Sequence, residues 1–154
     1  MSPDLQIRRM AVLLFTDIVD SVGLEHRLGT EAYSRLLKLH HQLFHQALAE
    51  AGAGKIHLDT GDGFLSEFAT PAEAVSVALL FQMLLRETAW DGEAPKVRLG
   101  IHQGQLAEIR FDSGAPGKIV GLPVSIAARV MNLAQGGQIL LTRPVYVDDR
   151  NFVV

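Results

Sequence analysis

Six consecutive apolar residues, Met10-Ala-Val-Leu-Leu-Phe15, run directly into Thr16-Asp17. A run so short and so continuous is what a strand buried on both faces requires. It leaves a carboxylate where that strand meets its loop. Between Ser21 and Ala51 the apolar period changes to three and four (Leu24, Leu28, Leu36, Leu39, Leu43, Phe44, Ala47, Leu48), which predicts one or two amphipathic helices stopped by Gly52 and Gly54. Lys55–Thr60 and Phe64–Phe68 read as short strands around Gly61-Asp62-Gly63, an Asp-Gly hairpin signal. Thr70-Pro71-Ala72-Glu73 is a capping box with proline in the first helical position, so a helix opens there. Val97–His102 and Gln105–Ile109 follow as strands, with Gly104 read as a bend between them. Residues 112–118 read as a loop, Val124–Ala134 as a helix and Gln138–Thr142 as a strand. The order β-α-β-β-α-β predicts an α+β fold, a ferredoxin-like βαββαβ core whose antiparallel sheet carries its helices on one face. In that plan the first strand lies beside the hairpin at the sheet centre. Asp17 and Asp62 then approach each other.

Several classes of function are excluded before any motif is weighed. A chain of 154 residues with 48% hydrophobic content is one domain, able to bury about 70% of its unfolded surface. The net charge of −3 and the lack of a basic stripe speak against a nucleic-acid partner. With no cysteine there is no disulfide, zinc-thiolate site or thiol catalysis. Met10–Phe15 is too short for a signal segment or a membrane span, so the expectation is a cytoplasmic soluble domain without membrane contact.

Two carboxylates converging at strand ends suit a hard divalent cation, which takes oxygen ligands and is completed by water and substrate phosphates. Val19, Asp20, Ser21 and Val22 lead into the first helix, whose backbone N–H groups suit a triphosphate. Taken singly, Asp17 reads as a helix cap and Asp62 as an ordinary hairpin residue. Taken together, on adjacent central strands, they read as a site. His40, His41 and His45 read as a feature of one helix face with no ligand role, and His102 as a packed, hydrogen-bonded core histidine.

Four segments give the reading a family. Leu14-Phe15-Thr16-Asp17-Ile18-Val19-Asp20-Ser21 resembles the first metal motif of class III adenylyl and guanylyl cyclases, and Gly61-Asp62-Gly63-Phe64 the second. Val97–Gly104 is similar to the family's central strand, and Gly121–Arg129 to its dimer-interface helix. The resemblance makes residues 1–9 a lead-in and 10–154 a cyclase homology domain lacking the family's C-terminal strands. It implies a phosphorus–oxygen lyase that turns ATP, or another nucleoside triphosphate, into a 3′,5′-cyclic nucleotide and pyrophosphate in intracellular signalling. Two Mg²⁺ or Mn²⁺ ions would sit on Asp17, Asp62 and the Ile18 carbonyl. Arg129 would stabilise the transition state, and Ser125 stands where the family has a ribose-contacting asparagine. Leu58 and Lys118 occupy the family's base-selecting positions, without its lysine and its aspartate or threonine. A homodimer with shared active sites is implied. The departures at Leu58, Lys118 and Ser125 leave a second expectation open, a degenerate nucleotide-binding regulatory or dimerisation module. A diguanylate cyclase is set aside, because its Gly-Gly-Asp/Glu-Glu-Phe hairpin is absent.

Overall fold

The apolar run is the middle of a longer strand, β1 (Leu5–Ile18). Its alternation sends Val12, Leu14 and Ile18 to one face and Ala11, Leu13 and Phe15 to the other. Both faces are covered, which is why the run is continuous. The structure, a computed structural model, describes residues 5–150; the closing Asn151-Phe152-Val153-Val154 lies outside the described residues.

After β1 the chain forms α1 (Ser21–Leu28) and α2 (Thr30–Ala51), separated by Gly29 at φ +85°. Strands β2 (Lys55–Asp59) and β3 (Phe64–Phe68) make the expected hairpin. Helix α3 (Pro71–Glu87) starts on its cap: Thr70 Oγ1 accepts from the Glu73 N–H at 3.2 Å, and Glu73 Oε2 accepts from the Ala69 N–H at 3.2 Å. Thr70→Ala is therefore expected to cost about 1 kcal/mol in urea unfolding, without a change in slope. Strand β4 (Val97–Arg110), the short β5 (Lys118–Val120), α4 (Leu122–Leu133), β6 (Ile139–Leu141) and α5 (Arg143–Arg150) complete the described chain.

The strand order is β2-β3-β1-β4-β5, with β6 beside β4. All these pairs are antiparallel except β4 with β6, which is parallel. One face packs Val12, Leu14 and Ile101 against Phe44 of α2, Phe81 of α3 and Val145 of α5. The other packs Ala11, Leu13, Leu65, Leu106 and Ile119 against Ala127 of α4.

Two expectations are corrected here. Gly104 is no bend: β4 runs through it, paired with Ala11 of β1. The helices do not share one face, because α4 lies opposite α2 and α3. Both corrections have one cause. A Cβ on Gly100 would stand 2.3 Å from the Met131 nitrogen, and one on Gly104 would stand 2.6 Å from Pro123 Cγ. These glycines alternate on the second face of β4, and the bare strip they leave is where α4 seats its Pro123, Ala127 and Met131 stripe.

Candidate functional site

At one end of the sheet, β1, the β2–β3 turn and the start of β4 come together. The turn closes with the Thr60 N–H donating to the Gly63 carbonyl at 3.0 Å. The Ile18 N–H donates to the Asp62 carbonyl at 3.1 Å, and the buried Thr16 hydroxyl accepts from the Phe64 N–H at 3.1 Å. Gly63 lets this happen: a Cβ there would lie 1.8 Å from the Thr16 carbonyl oxygen. Asp17 and Asp62 are thereby carried on backbone segments in direct contact. In extended chain a residue's N–H and C=O leave on the same side, so the Ile18 carbonyl also faces the hairpin.

Arg98, which the sequence reading did not single out, stands opposite Asp17 in the β1–β4 register. Its Nε donates to Asp17 Oδ1 at 2.7 Å and its Nη2 to Oδ2 at 3.0 Å, a bidentate charge-assisted pair. A third donor, Nη1, reaches the Asn132 carbonyl at the end of α4 at 3.3 Å. The hydrogen bonds it donates to Asp17 outweigh partial burial and hold the guanidinium still more firmly charged, and the Asp62 carboxylate adds to the effect. Asp62 is also felt by Tyr33 of α2, whose phenol burial and that neighbouring charge push up. The signal for Arg98 was available as a cation within the otherwise uncharged, apolar run Val97–Ile101, two residues before Gly100.

The donor set fits a hard cation: two carboxylates and a carbonyl, with no sulfur or imidazole among them. Beside it, Asp20 adopts φ +49° and caps α1, its Oδ1 accepting from the Gly23 N–H at 3.2 Å. Ser21 and Val22 open that helix, and Val22 is exposed.

The remaining predicted residues lie elsewhere in the chain. Ser125 and Arg129 are one helical turn apart on the exposed side of α4, facing away from the sheet that carries Asp17. Among the described residues Arg129 has no ion-pair partner. Leu58 and Lys118 stand on β2 and β5, at the two ends of the strand order, and both are exposed. A bulge between Ile56 and Leu58 turns His57 onto Glu67 at 2.6 Å. Arg9, bound to Glu67 by two 2.7 Å hydrogen bonds, and His57 together hold that carboxyl below its usual range. His57 is therefore engaged and offers nothing to a ligand beside Leu58. His102 is hydrogen-bonded as expected, with Nδ1 2.9 Å from the Thr142 hydroxyl and its basicity lowered by burial, but it is half-buried rather than a core residue.

Among known proteins, residues 6–150 match the Adenylate and Guanylate cyclase catalytic domain family. The chain is 29% identical over 156 residues to an adenylate cyclase of Lachancea kluyveri, covering 84% of this chain and 8% of that protein. It thus spans under a tenth of that relative's length. The fold matches the adenylyl cyclase CyaB from P. aeruginosa at TM-score 0.83 and 21% identity, covering 96% of this chain and 83% of the other. The guanylyl cyclase domain of the RhoGC fusion protein from Blastocladiella emersonii matches in two forms. One is dimeric, at TM-score 0.83 and 17% identity, covering 96% of this chain and 86% of that one. The other is monomeric, at TM-score 0.84 and 16% identity, covering 97% and 90%. At such identities the structural likeness carries the fold. No helix among the described residues is long and apolar enough to cross a membrane.

Proposed function

The chain belongs to the adenylate and guanylate cyclase catalytic domain family, and from that premise we propose that it converts a nucleoside triphosphate to a 3′,5′-cyclic nucleotide and pyrophosphate. The observation that carries the proposal is the meeting of Asp17, Asp62, the Ile18 carbonyl and Arg98 at one sheet end. In the reaction the ribose 3′-hydroxyl gives its proton to water, its oxygen bonds to the α-phosphorus, and the bond from that phosphorus to the bridging oxygen breaks, so pyrophosphate leaves with the electron pair. Bound Mg²⁺ or Mn²⁺, two ions per site, would supply Lewis acidity to the attacking oxygen and offset charge on the phosphates. Asp17, Asp62 and the Ile18 carbonyl are the ligands this chain offers.

Its other residues position the substrate. Arg98, freed from Asp17 when that carboxylate takes a cation, is a planar donor beside the phosphates. The backbone of Val19, Asp20, Ser21 and Val22 lies where the triphosphate would run into the start of α1. Ser125 and Arg129 point away from their own Asp17, so in this reading they serve the site of a second copy. A homodimer with two shared sites satisfies both, Ser125 holding the ribose and Arg129 meeting charge on phosphorus. Leu58 and Lys118 would meet the base.

A regulatory or dimerisation module that binds nucleotide without turning it over is the second reading. Leu58, Lys118 and Ser125 favour it, since Leu58 offers no hydrogen bond and serine is a shorter contact than asparagine. The experiment is to incubate the chain with Mg²⁺ or Mn²⁺ and each of ATP, GTP, CTP and UTP, then measure cyclic product and pyrophosphate. Product from both purines within about tenfold is expected, because an apolar wall rejects neither strongly. Asp62→Asn should lower the rate about a hundredfold. Metal-dependent nucleotide binding with no product from any triphosphate would overturn the catalytic reading and leave the regulatory one.

A further inference from the structure

The three histidines of α2 turn toward the hairpin that carries Asp62. Their rings gather on Phe64, the second residue after Asp62: His41 at 4.6 Å between centroids, His45 at 5.9 Å, and His40 stacked at 6.0 Å with a 5° interplanar angle. His40 is fully buried, and its Nδ1 lies 3.0 Å from the Nδ1 of His41. His41 Nε2 lies 3.2 Å from one oxygen of Asp59 and 3.3 Å from the other. Asp59 Oδ1 in turn accepts from the Gly61 N–H at 2.8 Å. The line His40–His41–Asp59–Gly61 ends one residue before Asp62.

Proton accounting gives this line a direction. Two Nδ1 atoms at hydrogen-bond distance need one proton between them. Were it on His41, neutral His41 would turn a bare Nε2 lone pair on the Asp59 carboxylate, and His40 would carry an N–H on Nε2. That nitrogen is buried without a partner, and a buried donor left unmade is costly. With the proton on His40 Nδ1, its Nε2 is bare, His41 accepts at Nδ1, and His41 donates from Nε2 to Asp59. Burial would push Asp59 upward, yet the Gly61 N–H and His41 outweigh it and keep the carboxyl below its usual range.

We propose that His41 is a positioning residue for the cyclase-type site, holding the Gly61-Asp62-Gly63 turn through Asp59 in the one tautomer that buried His40 permits. The proposal rests on the reading of Asp62 as a metal ligand only for its effect on metal binding. The hold on the turn is a property of the metal-free chain. His41 acts through another group and touches no reacting atom.

The test uses three variants of the full chain and reads the turn directly. Amide hydrogen exchange at Gly61, Asp62 and Gly63 is measured without metal, followed by Mn²⁺ affinity in the presence of 3′-deoxy-ATP, which cannot cyclise. His41→Leu is expected to speed exchange at the turn about tenfold and to weaken Mn²⁺ about tenfold, in the range seen when a ligand's supporting partner is lost. His41→Gln, whose amide reaches the place of Nε2, should restore both to within about threefold of the parent. His45→Leu removes a ring from Phe64 but no polar link, so both readouts should stay within about twofold. Equal losses in His41→Leu and His45→Leu, or unchanged turn exchange in His41→Leu, would overturn the proposal. Faster turn exchange in His41→Leu alone, in a chain that binds no Mn²⁺–nucleotide, supports the positioning role and instead sinks the cyclase reading.

Discussion

Gly63→Ala is expected to cost about 3–5 kcal/mol in urea unfolding, the largest loss from any single methyl group at the site end of the sheet. The added Cβ would lie 1.8 Å from the Thr16 oxygen, 2.6 Å from its carbonyl carbon and 2.8 Å from Asp17 Cα. All three are backbone atoms of a buried strand, so no rotamer change relieves the contact. β1 and the hairpin would have to part, at the cost of the Ile18–Asp62 and Phe64–Thr16 hydrogen bonds. Gly61, on the other side of Asp62, makes the control. It has φ +97°, and a Cβ added there would meet nothing within 4 Å. Gly61→Ala should therefore cost only the left-handed backbone term, about 1–2 kcal/mol. Equal losses at the two glycines would refute the close-approach argument.

The second large effect is a dependence of stability on pH that His40 creates. Burial drives its imidazole from 6.5 down to about 3, with His41 pushing the same way and Asp59 opposing weakly. A base whose folded value is depressed binds its proton preferentially in the unfolded chain. Its stabilising effect is complete above pH 6.5 and is lost progressively as pH falls from 6.5 toward 3. The slope is half its limit at pH 6.5 and approaches about 1.4 kcal/mol per pH unit below it, so about 1.6 kcal/mol disappears between pH 6.5 and 5. His40→Phe keeps a ring between Phe64 and Phe81 and has no proton to bind. It should be less stable at pH 8, having lost the bond to His41, but flatter in this window by that amount. Parallel pH profiles for parent and variant would show that His40 is not the group responsible.

Much of the architecture was legible because it is written in local patterns. The period of two or three and a half, the Asp-Gly turn and the Thr70 capping box placed β3 and the start of α3 to the residue. What escaped depends on contacts between distant segments. A glycine in a strand reads the same whether it bends the chain or seats a helix, and only the approach of Pro123 to Gly104 decides between them. The parallel pairing of β6 with β4 leaves no mark on a three-residue strand. In the candidate site, Asp17 was found because it ends an apolar strand and Asp62 because it sits in an Asp-Gly turn, and their backbones do meet. Arg98 was missed because its meaning lies in its register partner 81 positions away. The histidines of α2 were read from their spacing along the helix. Their partner Asp59, 18 residues beyond His41, arrives only with the hairpin.

With Arg98 closed on Asp17, the site carries its own counter-ion. On the proposed reading a bare cation would reach Asp17 only by displacing a guanidinium held there by two hydrogen bonds. A triphosphate reverses that balance, because its oxygens can receive Arg98 as the carboxylate lets go. In that reading metal and nucleotide would raise each other's affinity by the same factor, as linkage requires. On the proposed reading such a site would behave as a coincidence detector, shut to a free-metal pool that rises and falls on its own and filled when cation and phosphate arrive together.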